Sequence, residues 1–161
     1  YEEELLNWYT EDEFDVMDSW IDHSRDETMT YAAMEQMRGK YLVKNRFDKK
    51  IYETPQIAFM LIAATLFHKY TDKRMMMVKD FYDALSRFDI SLPTPVMAGV
   101  RTSVRQFSSC VLIETDDSLD SISATSAAIV RYVSKRAGIG IGAGRIRALG
   151  SPINGGPKTN H

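Results

Sequence analysis

The 161-residue chain has a single cysteine, Cys110, so no disulfide can form within it. That excludes a disulfide-stapled secreted scaffold and leads to the expectation of a reducing, cytoplasmic setting. No signal-peptide pattern opens the sequence. The longest apolar run, residues 57–67, has eleven residues including Thr65. It falls short of the roughly 20 needed to cross a bilayer, so no membrane association is expected. His23, His68 and His161 are widely separated and lack metal-ligand spacing, so no metal site is expected. No Gly-x-x-x-x-Gly-Lys-[Ser/Thr] loop is present, no Ser-His-Asp arrangement is suggested locally, and no nucleic-acid partner is expected. Acidic residues are missing from the tail: none follows Asp120.

Arg131, Lys135, Arg136, Arg145, Arg147 and Lys158 all lie in that acid-free tail. Residues 1–36 hold the opposite bias, twelve Asp or Glu against Arg25 alone. A formal net charge of -2 therefore conceals an acidic head and a basic tail. The head reads as a solvated helix face. The basic, glycine-rich tail suits phosphate binding, although solubility alone would also account for it. The sequence begins at Tyr1 and ends in GGPKTNH without a helix stop or a packed strand, and it reads as a piece of a longer chain.

Helical spacing of Phe14, Met17 and Ile21 predicts a helix over 11–23. A second helix is expected from about Thr30, ended by Gly39. Residues 40–53 predict two short strands around a polar turn, a hairpin. Thr54-Pro55 supplies a hydroxyl cap and a first-turn proline for a helix over 56–70 that is apolar on nearly every side. Asp72 is expected to cap the next helix, 73–88, with Met76, Phe81, Leu85 and Phe88 as its stripe and the methionines at 75–77 as core filler. In SLPTP, residues 91–95, two prolines are expected to hold Thr94 extended. A strand follows over Cys110 to Glu114, then a helix over 118–136 begun by Asp117, on which Ile122, Ile129 and Val133 share a face with Thr125. Nothing in AGIGIGAGRIRALG, residues 137–150, favours a regular element throughout. The expected class is α+β, with a boundary near Leu92 between a helical region, 1–91, and a strand-and-glycine-loop region, 92–161.

Taken residue by residue, the candidate sites stay open. The glycine run 138–144 superficially offers a dinucleotide fingerprint, but a helix precedes it where a strand is required. A glycine loop lined by Arg145 and Arg147 suits phosphate through amides and guanidinium forks, against the alternative of a plain flexible loop. Asp117 and Asp120 resemble a capping box, and the same helix start would present amides to an anion. Cys110 is either a small apolar residue or a reactive thiol at a strand end approached by Ser108 and Ser109.

Several longer stretches carry a resemblance. SLPTPVMAGVRT, RQFSSCVLIE, DSLDSI and SKRAGIGI-AGRIRALGSPI are similar, in order and spacing, to the large catalytic subunit of class I ribonucleotide reductase. The similarity runs from about Ile21 to Gly156 and is dense from Ser91. The resemblance implies a helical region followed by the first strand, long helix and effector loop of a ten-stranded α/β barrel. It implies an oxidoreductase that reduces ribonucleoside diphosphates by radical chemistry with a redox dithiol. Cys110 corresponds to one thiol of the reducing pair, not to the radical cysteine. Thr94, Ser109, Cys110 and Gly138 correspond to substrate contacts. Asp117, Ser118, Leu119 and Arg147 correspond to contacts with a deoxynucleotide or ATP effector. The implied partners are a second large subunit, packed through helix 118–136, a small radical-generating subunit, and thioredoxin or glutaredoxin. Magnesium would arrive with nucleotide phosphates, and no cofactor is expected in the chain itself. Two positions depart from the family pattern: Asn154 replaces a frequent second arginine, and Gly142 stands where asparagine is common. The radical cysteine, the second thiol and the C-terminal cysteines of the family lie beyond residue 161, as does most of the barrel, and the N-terminal regulatory domain is missing or shortened. The chain alone is therefore expected to be inactive, its role in isolation being at most that of a non-catalytic deoxynucleotide-binding module or half of a split subunit.

Overall fold

A computed structural model describes residues 1, 3–45, 47–135, 137–153 and 156. It divides into two compact units, Tyr1–Phe107 and Ser108–His161.

The first unit is helical. Helix α1, Leu5–Trp8, leads into α2, Glu11–Trp20, whose start is a reciprocal box. Thr10 Oγ1 accepts from Glu13 N–H, and Glu13 accepts from Thr10 N–H, so two end amides are satisfied at once. Glu13 also takes a forked pair of hydrogen bonds from Arg74, at 2.6 and 2.7 Å from one nitrogen. That guanidinium holds the Glu13 carboxyl below the usual range. The expected helix 11–23 ends earlier, and His23–Thr28 forms a 3-10 turn capped by Asp22.

Helix α3, Tyr31–Gln36, does not stop at Gly39 as expected. It widens into a π turn over Met37–Tyr41 that carries Gly39 within it. The expected hairpin shrinks to a single antiparallel bridge, Lys44↔Ile51, flanked by backbone bonds from Tyr52 N–H to the Val43 carbonyl and from Asn45 N–H to the Lys50 carbonyl, and the ladder stops where a side chain takes the next amide. Val43 N–H donates to Glu53 at 2.7 Å.

Thr54 caps α4, Pro55–Phe67, by accepting from Ile57 N–H. This helix is the centre of the unit: Ala58, Phe59, Met60, Ile62, Ala63 and Ala64 are all buried. Full burial of side chains such as Phe59 and Ile62 contributes about 1.5–3 kcal/mol each. Helix α5, Arg74–Ser86, packs on it, but through a stripe shifted from the expected one: Val78, Tyr82 and Leu85 are buried, while Met76 and Phe88 are exposed. Asp72 does not cap α5; the cap position is Lys73, with no side-chain bond. A buried polar chain joins the 3-10 turn to both helices. Gln56 donates to Asp26, Tyr82 donates to Gln56, and Asp22 N–H donates to the Tyr82 hydroxyl, each within 2.8–2.9 Å.

Thr94 is not extended. It opens a short helix, α6, Thr94–Gly99, behind Pro93. A proline is tolerated in a first helical turn because the amide it lacks has no partner there, and that outweighs the extended preference Pro95 imposes on Thr94. Residues 92–107, assigned from the sequence to the barrel region, belong to the helical unit, held by Arg101. This arginine is fully buried and forks onto Glu53, with Nε 3.1 and 2.9 Å from the two carboxylate oxygens and Nη2 closing the pair. Its remaining donors reach the Met97 carbonyl at 2.7 Å and the Tyr41 carbonyl at 2.9 Å.

The second unit is a β-α-β turn of chain. Strand β1, Cys110–Glu114, matches its expected span. Helix α7, Leu119–Val133, is shorter than expected at both ends. Residues 138–142, read from the sequence as irregular, form β2, Gly138–Gly142, parallel to β1 in the register Cys110↔Gly138 to Glu114↔Gly142. Parallel pairing across a helix needs no hairpin signal, and the alternating Gly-Ile pattern meets the two-residue period of a strand. Buried Thr115 and Thr125 share a 2.9 Å hydrogen bond that ties the end of β1 to α7.

Replacing Arg101 with Met should cost about 3–5 kcal/mol in chemical denaturation, because Glu53 is left charged in an apolar interior. Removing both charges with Glu53→Gln in addition should cost less than Arg101→Met alone. Equal or additive losses would show that pairing is not what holds the segment.

Candidate nucleotide site

In the second unit the candidate residues gather at the two ends of one strand pair. At the amino ends, Cys110 and Gly138 are register partners, and Gly138 N–H donates to the Ser109 carbonyl at 2.8 Å. Ser109, Cys110 and Gly138 are all exposed, and Cys110 is a free thiol. The partner strand is glycine opposite Cys110, Leu112 and Glu114. A Cβ added at Gly138 would stand 3.7 Å from Cys110 Sγ, in ordinary contact with it, and one at Gly140 would meet Leu112 Cδ2 at 2.7 Å. Glycine at alternate positions of β2 leaves this face of the strand without side chains, and Gly140 is the position where one would collide.

At the carboxyl ends the chain turns into α7 on one strand and into Arg145 and Arg147 on the other. Arg147 Nε donates to Asp117 at 2.6 Å. Arg145 pairs with Glu114 at 2.9 Å and with Asp116 at 3.0 Å. These carboxylates raise the Arg145 guanidinium above its usual range, the Asp116 hydrogen bond contributing most. Asp117 is not the helix cap, and the Asp117–Asp120 box does not form. Ser118 caps α7 by accepting from Ser121 N–H at 3.1 Å, and Ser121 Oγ in turn accepts from Asp116 N–H at 2.8 Å. Asp117 is drawn away by a charged donor, which is a stronger partner than a backbone amide. Leu119, the first residue of α7, is exposed, as are Ile122, Val130 and Val133 farther along it.

Thr94 lies in the first unit, at the start of α6, where its hydroxyl is 3.2 Å from that of Tyr41. Tyr41, Glu53 and Arg101 were not singled out from the sequence. The only trace they left there is a Glu and an Arg beside apolar segments, which is also how surface charges look. His68 stacks on Trp8 at 3.8 Å, and His23 lies 3.4 Å from the Thr54 hydroxyl. His161, Arg136, Lys158 and the departure at Asn154 lie outside the described residues. Among the described residues, no group of three or more His, Cys, Asp or Glu could hold a metal ion, and no helix is long and apolar enough to cross a membrane.

Comparison with known proteins matches both units. Residues 27–105 match the ribonucleotide reductase all-alpha domain, and residues 108–161 match the ribonucleotide reductase barrel domain. The chain belongs to the ribonucleotide reductase large-subunit family. It is 64% identical over 157 residues to ribonucleoside-diphosphate reductase 1 subunit alpha of Escherichia coli, which is 97% of this chain and 21% of that protein. The subunit alpha of Haemophilus influenzae is 63% identical over the same share of each chain. That of Enterobacteria phage T4 is 53% identical over 153 residues, 95% of this chain and 20% of the phage protein. The chain therefore spans about a fifth of the length of these relatives. The mainly helical unit followed by a parallel strand pair and helix is consistent with the start of a reductase barrel.

These 161 residues, kept folded, should release one equivalent of colour from Ellman's reagent without denaturant, because Cys110, the one thiol among them, is exposed. A thiol that reacts only after unfolding would contradict the strand-end geometry.

Proposed function

We propose that this chain contributes one redox thiol, part of the substrate surface and an effector site to a cytoplasmic ribonucleoside-diphosphate reductase. The observation that carries the reading is Cys110, an exposed thiol at the end of a barrel-type strand whose neighbouring strand is glycine where it faces the sulfur. In this reading Cys110 is one half of the reducing pair. As the ribonucleoside diphosphate is reduced to the deoxyribonucleoside diphosphate, two thiols lose their protons and two electrons and become a disulfide. The second thiol comes from polypeptide outside these 161 residues, and thioredoxin or glutaredoxin returns the pair to the dithiol. The radical is supplied by a small subunit. Ser109 and Gly138 would line the sugar beside the sulfur, and Thr94 would supply a hydroxyl to the substrate.

The carboxyl ends of the strands would take the effector, a deoxynucleoside triphosphate or ATP. Ligands in α/β sheets favour that end, where a helix start presents amides to an anion. Arg147 would contact phosphate, Asp117 would accept from a ribose hydroxyl, and Ser118 and Leu119 would line the approach. Magnesium would enter on the nucleotide's own phosphates rather than on side chains of this chain. The exposed apolar residues of α7 would pack against a second large subunit.

The segment exchanged for the matching 157 residues of the Escherichia coli subunit should support CDP reduction with the small subunit, and Cys110→Ser in that protein should abolish multiple turnover. Sustained dCDP formation by the serine variant would remove the thiol from the reaction. A second reading, a deoxynucleotide-binding module without catalysis, is favoured by the pairing of Arg147 with Asp117 within a single unit. Calorimetry of the chain with dTTP should then give binding that Arg147→Ala weakens about ten- to a hundredfold. No heat from either protein would dispose of it.

A further inference from the structure

Thr94 is not an isolated hydroxyl. Tyr41 Oη stands 3.2 Å from Thr94 Oγ1, and Gln36 Nε2 donates to the same phenol oxygen at 3.3 Å. The three side chains form a line from an exposed amide, through a half-buried phenol, to a half-buried hydroxyl. Both ends of the Tyr41–Thr94 contact are anchored by one group. Arg101 donates to the Tyr41 carbonyl and to the Met97 carbonyl of α6, so the π turn and the helix that opens with Thr94 are fastened to the same guanidinium. Tyr41 also closes a π turn, an element found disproportionately where a side chain must be aimed.

The polarity of this line follows from valence. A threonine hydroxyl has one proton. If that proton goes to an acceptor oxygen of a bound molecule, Thr94 Oγ1 can only accept within the protein, and the donor facing it is the Tyr41 hydroxyl. Tyr41 then has a lone pair to fill, and the Gln36 amide fills it.

We propose that Tyr41 is a positioning residue for the reductase reaction: it donates to Thr94 and so directs the Thr94 proton toward an oxygen of the ribonucleoside diphosphate. The proposal rests on the reading of Thr94 as a substrate contact. Tyr41 touches no substrate itself; it acts by fixing the rotamer and the donor sense of Thr94.

The test is a double-substitution cycle in the full-length Escherichia coli subunit carrying this segment, assayed with its small subunit and CDP. Tyr41→Phe keeps the ring and removes the hydroxyl. It should raise KM for CDP roughly fivefold, the size of one hydrogen bond, with kcat changed less than about twofold. Thr94→Ala should raise KM as well, and Tyr41→Phe should add nothing further in that background. Equal KM effects of Tyr41→Phe with and without Thr94 would overturn the relay, as would an unchanged KM in Tyr41→Phe beside a raised one in Thr94→Ala. An unchanged KM in Thr94→Ala would instead overturn the reading of Thr94 itself. Should Tyr41→Phe melt early, Gln36→Leu on the exposed end of the line replaces it, with a smaller rise in KM that must likewise vanish in the Thr94→Ala background.

Discussion

The helical unit depends on one buried ion pair. Two charges removed from water are costly unless every donor and lone pair is used, and Glu53 and Arg101 use theirs fully. The carboxylate accepts from Arg101, from Val43 N–H and from the Tyr1 hydroxyl, while the guanidinium also serves the Met97 and Tyr41 carbonyls. Among the described residues no buried side-chain polar atom lacks a partner. An apolar contact in this place would hold the segments together but let them slide. A planar fork fixes direction as well as distance. The π turn, the loop to Glu53 and helix α6 are therefore fastened to one another through Arg101, and Thr94 opens the last of them. The same pair explains why residues 92–107 side with the helices and not with the strands that follow them.

The second unit is built on the opposite plan. Its strands are joined by backbone alone over five register pairs, with the Thr115–Thr125 hydrogen bond setting the helix against the strand end. Cys110, Leu112 and Glu114 project on the same side of β1, and opposite each stands a glycine of β2. Leu112 leans into the space over Gly140, and Glu114 leans toward Gly142, close to Arg145. Over Gly138 the nearest atoms are the Cys110 sulfur and the Ser109 carbonyl oxygen, each 3.7 Å from where a Cβ would stand. On the proposed reading a sugar would approach the exposed sulfur at this end of the strands.

Much of this was legible in sequence, and the failures share causes. Thr54-Pro55 marked α4 because a hydroxyl cap and a first-turn proline act locally, and Cys110–Glu114 marked β1 because an apolar run between polar turns has few alternatives. Thr94 misled for a related reason: the pre-proline preference is local, but whether a proline sits in a first turn or in an extended link depends on what fastens the segment, and Arg101 does that from outside it. Strand β2 was hidden because glycine carries no propensity of its own and a parallel partner lies a helix away. The α5 stripe was shifted because Met and Phe satisfy the period equally well on either flank, and packing against α4 made the choice. The carriers of the candidate sites, Cys110, Asp117, Ser118 and Arg147, came from ordered family motifs, whereas the Tyr41–Thr94 contact spans 53 residues and leaves no spacing to read.

The charge asymmetry of the sequence acquires a different meaning in the fold. The tail contains no acid, yet Arg145 and Arg147 are paired with carboxylates. The turn between β1 and α7 brings Asp116 and Asp117 to them, and the end of β1 brings Glu114. The Arg145 pairs are exposed and the Arg147–Asp117 pair is half-buried; ion pairs at a surface contribute little to stability, so they are easily exchanged. A polyanion with several charges outbids single carboxylates that are fixed at only one point each. On the proposed reading, an Arg147 that turned to phosphate would leave Asp117 without its charged donor and with acceptor capacity beside the start of α7, where a ribose hydroxyl would fill it. The carboxylates therefore do not argue against an anion site. On the proposed reading they would hold the guanidiniums near the site, and the exchange of Asp117 from arginine to sugar would convert what looks like a competitor for phosphate into a contact with the same nucleotide.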